Sequence, residues 1–188
     1  LIALTDAELQ LRRHEEPDQR WGMAERSGRA VEVARGLGEE RMLVRALVLH
    51  ANVFILSGHP TKGFEVLNEA QGLAERLGDD HLFLLPFWAS TDILVGDDPA
   101  TAAERLAEVA ALARSVNDKA VMSHALASQA VALARLGRFD EALQVMPQAL
   151  EAAYASGSTI KVADVAMLCG SALMEMGELE AGMRWIVY

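Results

Sequence analysis

Residues that break helices recur along this chain on two interleaved lattices, and that spacing leaves few folds open. Gly38, Gly78, Asn117 and Gly157 each follow an apolar helical run, at intervals of 40, 39 and 40 residues. Between them stand Gly58, Gly96, Gly137 and Gly177, at intervals of 38, 41 and 40. Glycine and asparagine reach the left-handed backbone conformation that closes a helix C-terminus with little strain. A shared period of about 40 residues describes a series of helix pairs, each of which must bury its apolar face against the next.

The helices expected from this punctuation run over 18–37, then in pairs over 40–57 with 60–77, 80–95 with 99–116, 118–136 with 138–156, and 158–176 with 178 onward. Asp79 or Asp80, Asp118, and Ser158 or Thr159 stand where a side chain would cap the next helix. Pro60 and Pro99 suit a first helical turn. Ahead of these, Thr5 or Asp6 can cap a short helix that Pro17 would end. Pro86 and Pro147 fall inside expected helices; each removes a backbone hydrogen bond and is expected to kink its helix. Pro86 lies in the most apolar run, beside Phe83, Phe87 and Trp88, where a bend either packs the core or opens a contact for a partner.

Composition agrees with an all-α fold. The chain is 52% hydrophobic but only 5% aromatic. Alanine and leucine dominate, and runs of alternating Val, Ile, Thr and Tyr are absent. A formal net charge of −10, with its 17 Lys and Arg scattered, argues against direct binding of nucleic acid or an anionic membrane. Cys169, the single cysteine, excludes an internal disulfide and reads as a small buried hydrophobe. No run approaches the roughly 20 apolar residues that span a bilayer, and no signal segment opens the chain, so the cytoplasm is expected. The absence of an initial Met and the apolar ending at Trp185-Ile186-Val187-Tyr188 suggest a piece of a larger protein. On that reading 1–39 forms degenerate leading helices, followed by repeats at 40–78, 79–117, 118–157 and a truncated 158–188. The uncapped last repeat would then either meet further repeats or form a homodimer.

The stretch 120–157 carries a closer pattern. With Gly137 as the turn, Ala130, Ala142 and Ala149 occupy positions where helices touch, and Leu126, Leu133 and Met146 fill the flanks. Around Gly58 the matching small residues are Ala51, Gly63 and Ala70, and around Gly177 they are Gly170 and Gly182. Around Gly96 they are Ala89 and then, after one extra residue, Ala102 and Val109. In this pattern, from about Arg41 onward, the chain resembles the tetratricopeptide repeat family. The resemblance implies a right-handed α-solenoid of antiparallel helix pairs. The period exceeds that family's usual ~34 residues, and aliphatic residues replace most of its aromatic ones. Long Ala/Leu-rich repeats of this kind are similar to those of large bacterial transcription regulators of the maltose-regulator and LuxR type, where they serve as a sensor or interaction arm. No glycine-rich phosphate loop occurs here, and no ATP-binding or DNA-binding module is expected within the chain.

Catalytic and metal-binding patterns are lacking. The five histidines, His14, His50, His59, His81 and His124, form no zinc-binding spacing. Asp79-Asp80 and Asp97-Asp98 read as helix caps. No cofactor, metal or catalytic residue is therefore expected. The resemblance implies a concave groove lined by the first helix of each pair. Its candidate contacts are Arg45, Asn52, Phe83, Phe87, Ser90, His124, Ser128, Arg135, Ser171 and Glu175, among neighbours that include Val48, Val131, Asp164, Met167 and Met174. Such a mixture suits an amphipathic helix or extended peptide, and methionines let a surface repack around different partners. Asn52 stands where co-chaperone members of the family hold a peptide carboxylate, but Val48 occupies the place of a required lysine, which speaks against that clamp. The expected function is non-catalytic recognition of a protein, a peptide, a small effector or other domains of a parent chain. The alternatives are a stand-alone adaptor or chaperone-like scaffold and, more distantly, an enzyme.

Overall fold

The two lattices of helix breakers appear in the structure as the ends of helices. The structure is a computed structural model that describes the backbone of residues 17–187 and the side chains from Gly22 to Trp185 apart from Asp92. The short helix expected before Pro17 lies outside the described residues. Among those described, every regular element is helical: α1 (Pro17–Gly36), α2 (Glu40–Leu56), α3 (Pro60–Leu77), α4 (Asp80–Asp92), α5 (Leu94–Asp97), α6 (Pro99–Ser115), α7 (Lys119–Arg135), α8 (Phe139–Ala155), α9 (Thr159–Glu175) and α10 (Leu179–Val187).

Seven of the eight lattice residues close a helix as expected. Gly38, Gly58, Gly78, Asn117, Gly137, Gly157 and Gly177 all have positive φ, between 58° and 86°. Asn117 manages this without being glycine, in keeping with the tolerance of asparagine for the left-handed region. Gly96 is the exception. It lies inside α5, and the chain turns two residues later at Asp98, with φ −140° and ψ 76°. Asp98 itself caps α6 by accepting a hydrogen bond from the Thr101 N–H at 3.1 Å. The single extra residue in this repeat lets the helix continue past the glycine.

Side-chain caps fall where the sequence places them. Asp79 accepts from the Leu82 N–H at 3.0 Å, Asp118 from Val121 at 2.9 Å, and Ser158 from Lys161 at 3.3 Å. The expected helix over 80–95 is divided at Ile93, which keeps helical dihedrals (φ −65°, ψ −34°). Both α4 and α8 run without interruption through their internal prolines, Pro86 and Pro147.

The described residues form two compact units, divided between Ala89 and Ser90. In the first, α2 packs against α1 and α3, and Val44, Leu73, Ala74 and Leu82 form a buried cluster flanked by Leu43, Leu77 and Phe83. In the second, α7 is the central helix, with α6, α8 and α9 around it, while α9 packs against α7, α8 and α10.

The helix pairs touch through small residues twelve positions apart. A Cβ added to Gly63 would lie 3.0 Å from the Ala51 carbonyl oxygen and 2.5 Å from Ile55 Cγ1. A Cβ added to Gly182 would lie 2.7 Å from the Gly170 carbonyl oxygen. Between these pairs in sequence, Ala130 and Ala142 are wholly buried. The same offset thus recurs in three pairs, with side chains small enough to bring helix axes to the short end of the ~8–10 Å range. Leu126, Leu133 and Met146 are buried beside the central pair.

Candidate interaction surface

The first helix of each pair divides into residues that are covered and residues that remain in reach of a partner. In the first unit, Arg45 is exposed and Asn52 half-buried on α2, while Val48 is buried. Phe83 is half-buried and Phe87 buried on α4, their rings 5.5 Å apart. In the second unit, Ser90 is buried, and on α7 His124 is half-buried while Ser128 is only 2% exposed and Val131 only 5%. Phe87, Ser90 and Ser128 therefore sit in the interior, and along α7 the face anticipated as a groove is closely packed.

Arg135 and Glu175 have a role that spacing alone does not reveal. The Arg135 Nε–H donates to Glu175 Oε1 at 2.9 Å, and its Nη1–H donates to the Val95 carbonyl oxygen at 3.0 Å. Val95, Arg135 and Glu175 are successive positions on the forty-residue period, so one guanidinium ties α5, α7 and α9 at the same level. It satisfies a carbonyl at a helix end, one of the groups that helix termini leave without an internal partner. Both side chains remain more than a third exposed, so a partner can still reach them. Both are already engaged across neighbouring repeats.

The α9 helix carries the open part of this surface. Ile160 is 55% exposed and Met167 51%, Ala163 is exposed, and Ser171 and Met174 are half-buried. Ser171 donates to the Met167 carbonyl oxygen within its own helix. At the edges, Lys161 pairs with Asp164 at 3.6 Å and Glu175 with Arg135. Ile160 was not among the expected contacts. Its signal in the sequence is a seven-residue spacing, Ile160, Met167 and Met174, that keeps the three side chains on one side of the helix. A second apolar stripe runs along α8, where Phe139, Leu143 and Tyr154 are exposed, and Leu179 and Met183 continue it at the same positions of α10.

Cys169 is buried, and its burial pushes the thiol pKa up to about 12. The thiolate that nucleophilic or metal chemistry needs is therefore disfavoured. Among the described residues no group of three or more His, Cys, Asp or Glu side chains could hold a metal ion, and no helix is long and apolar enough to cross a membrane. The acidic residues Asp79 and Asp98 are held below the usual carboxylate range. For Asp79 the main cause is the hydrogen bond from the Leu82 N–H, and for Asp98 the hydrogen bond from the Thr101 side chain. Both are caps in use. No protein-family model matches the chain. Comparison with curated proteins also gives no match.

Proposed function

We propose that this chain is a tetratricopeptide-like α-solenoid whose work is non-catalytic recognition of a protein or peptide, and that α9 supplies its principal contact face. The observation that carries the reading is the contrast between α7 and α9 at equivalent positions. Ala127, Val131 and Ala134 are buried on α7; forty residues later Met167, Ser171 and Met174 are exposed or half-exposed. Repeat architectures bind partners on such uncovered faces, and exposed Ile and Met around a few polar groups suit a helix or extended peptide. The long repeat and its Ala/Leu composition favour the sensor or interaction arm of a bacterial transcription regulator as the setting.

A peptide-display library panned on the chain tests the reading. Enriched peptides should lose about tenfold or more in affinity (roughly 1.4 kcal/mol) for Met167→Glu while binding Tyr154→Glu, altered on α8, as they bind the wild type. Failure to enrich any peptide, or selected peptides indifferent to Met167→Glu, would sink it.

A further inference from the structure

The buried cluster of the first unit, Val44, Leu73, Ala74 and Leu82 with Leu43 and Leu77 against it, has a counterpart one period upstream. Forty residues earlier the chain offers the same set in apolar residues: Leu4, Val33, Ala34 and Met42, with Ala3 and Leu37 in the flanking places. Val33 and Ala34 lie on α1, Leu37 just beyond it, and Met42 on α2. The upstream set is nevertheless open. Val33 is 58% exposed and Leu37 65%, whereas Leu73 is 4% exposed and Leu77 half-buried. What the downstream set has in addition is Val44, wholly buried, which α2 brings onto α3. Among the described residues the helix packed against α1 is α2, which follows it; none precedes it. The counterpart of Val44 is Leu4.

We propose that the chain's own segment 1–16 docks on α1 and covers Val33 and Leu37 with Leu4, in the register with which α2 covers α3. This goes beyond the recognition reading and does not depend on α9. The length fits, because α2 runs over Glu40–Leu56 and the same positions forty residues earlier fall within 1–16. The apolar face fits as well. Along the side of α2 turned to α3, Val44 joins the cluster and Ala51 crosses Gly63; these two and Leu47 are at most 2% exposed. Their counterparts Leu4, Ala7 and Leu11 are apolar at the i, i+3, i+7 spacing of one helical face. Elsewhere the segment is suited to water, since Asp6 and Arg13 stand where α2 buries Ala46 and Val53. A segment joined to α1 also meets it at a high effective concentration, which a free partner lacks. At the far end Leu11 faces Met23 in place of Ala51 and Gly63. These larger side chains hold the two axes apart there, so the closest contact falls at Val33.

A double-mutant cycle in the full chain reads this contact. Val33→Gln exchanges a β-branched residue for a better helix former, so a Val33 open to water would leave the melting temperature unchanged or slightly raised. With Leu4 upon it, the same change should lower the melting temperature by on the order of 5 °C, because an amide then replaces an apolar contact. Leu4→Gln should lower it similarly. The double variant should fall by far less than the sum of the two, since each change removes the same contact. Cross-linking gives a second reading. Leu4→Cys with Val33→Cys should form a disulfide within one chain under mild oxidation. Thr5→Cys with Val33→Cys should not, Thr5 being the counterpart of the exposed Arg45. The native Cys169 is buried, with its thiol pKa pushed up to about 12, and stays out of the exchange. A Val33→Gln variant that melts with or above the wild type overturns the proposal, as do additive falls. So does equal cross-linking of the two pairs, no link between positions 4 and 33, or a link that joins two chains, which would make a second copy the occupant.

Discussion

His50 illustrates how a single half-buried side chain makes stability depend on pH. Its Nδ1 lies 2.8 Å from the Ser27 hydroxyl, joining α2 to α1, and its ring lies 4.6 Å from that of Phe54. Burial disfavours the charged imidazolium and lowers the pKa from the ordinary 6.5. The folded state therefore holds this proton less tightly than the unfolded chain does. The contribution of His50 is complete above about pH 6.5 and is lost as pH falls through the depressed folded value. The capping carboxylates respond only at lower pH, since Asp79 and Asp98 are depressed from 3.8. Melting temperature should thus fall between pH 7.5 and 5.5 in the wild type and fall less in His50→Gln; equal falls would show that His50 is not responsible. In sequence His50 is one of five histidines without a pattern. Its partner lies 23 residues away on another helix, and no periodicity signals that pair. Arg135 was equally hidden, because its two bonds join residues forty positions apart. Cys169, by contrast, was legible from its apolar neighbours.

At the scale of the element, helix ends were more legible than helix surfaces. Glycine and asparagine act through the local backbone, so seven breakers close helices where the spacing puts them. Gly96 misled because one inserted residue moved the turn to Asp98, and an aspartate that caps the next helix serves there without a left-handed residue. The small residues at helix crossings were readable too, and they give a sharp test. Gly182→Ala places a methyl 2.7 Å from the Gly170 carbonyl oxygen, and backbone cannot step aside as a side chain can. Overpacking should cost about 1–3 kcal/mol, outweighing the ~1 kcal/mol that alanine gains over glycine within a helix. Gly72→Ala, whose new methyl meets nothing nearer than Arg76 Nη1 at 3.9 Å, should instead stabilise by roughly 0.5–1 kcal/mol. Thermal melts of the two variants should move in opposite directions. Parallel shifts would contradict the crossing register.

Across the whole molecule, the repeat period conveyed the all-helical plan but not which faces stay open. Exposure depends on how many neighbours a helix acquires, and α7 is packed on more sides than α9. Val131 and Ser171 illustrate it: they stand forty residues apart on first helices, yet one is buried and the other half-buried. Where α7 carries the buried Ala127, α9 carries Met167, which is exposed and stands at the centre of the functional account. The eight methionines supply reporters at many depths. Met146 is in the core, Met183 is exposed on the outward stripe of α10, and Met167 lies on the proposed contact face. The most direct measurement is therefore a titration of protein labelled at the methionine methyl groups with a peptide enriched on it from the display library. The account predicts that the Met167 signal moves as peptide is added while those of Met146 and Met183 hold still. Signals that ignore the peptide, or movement at Met183 with Met167 unchanged, would contradict it.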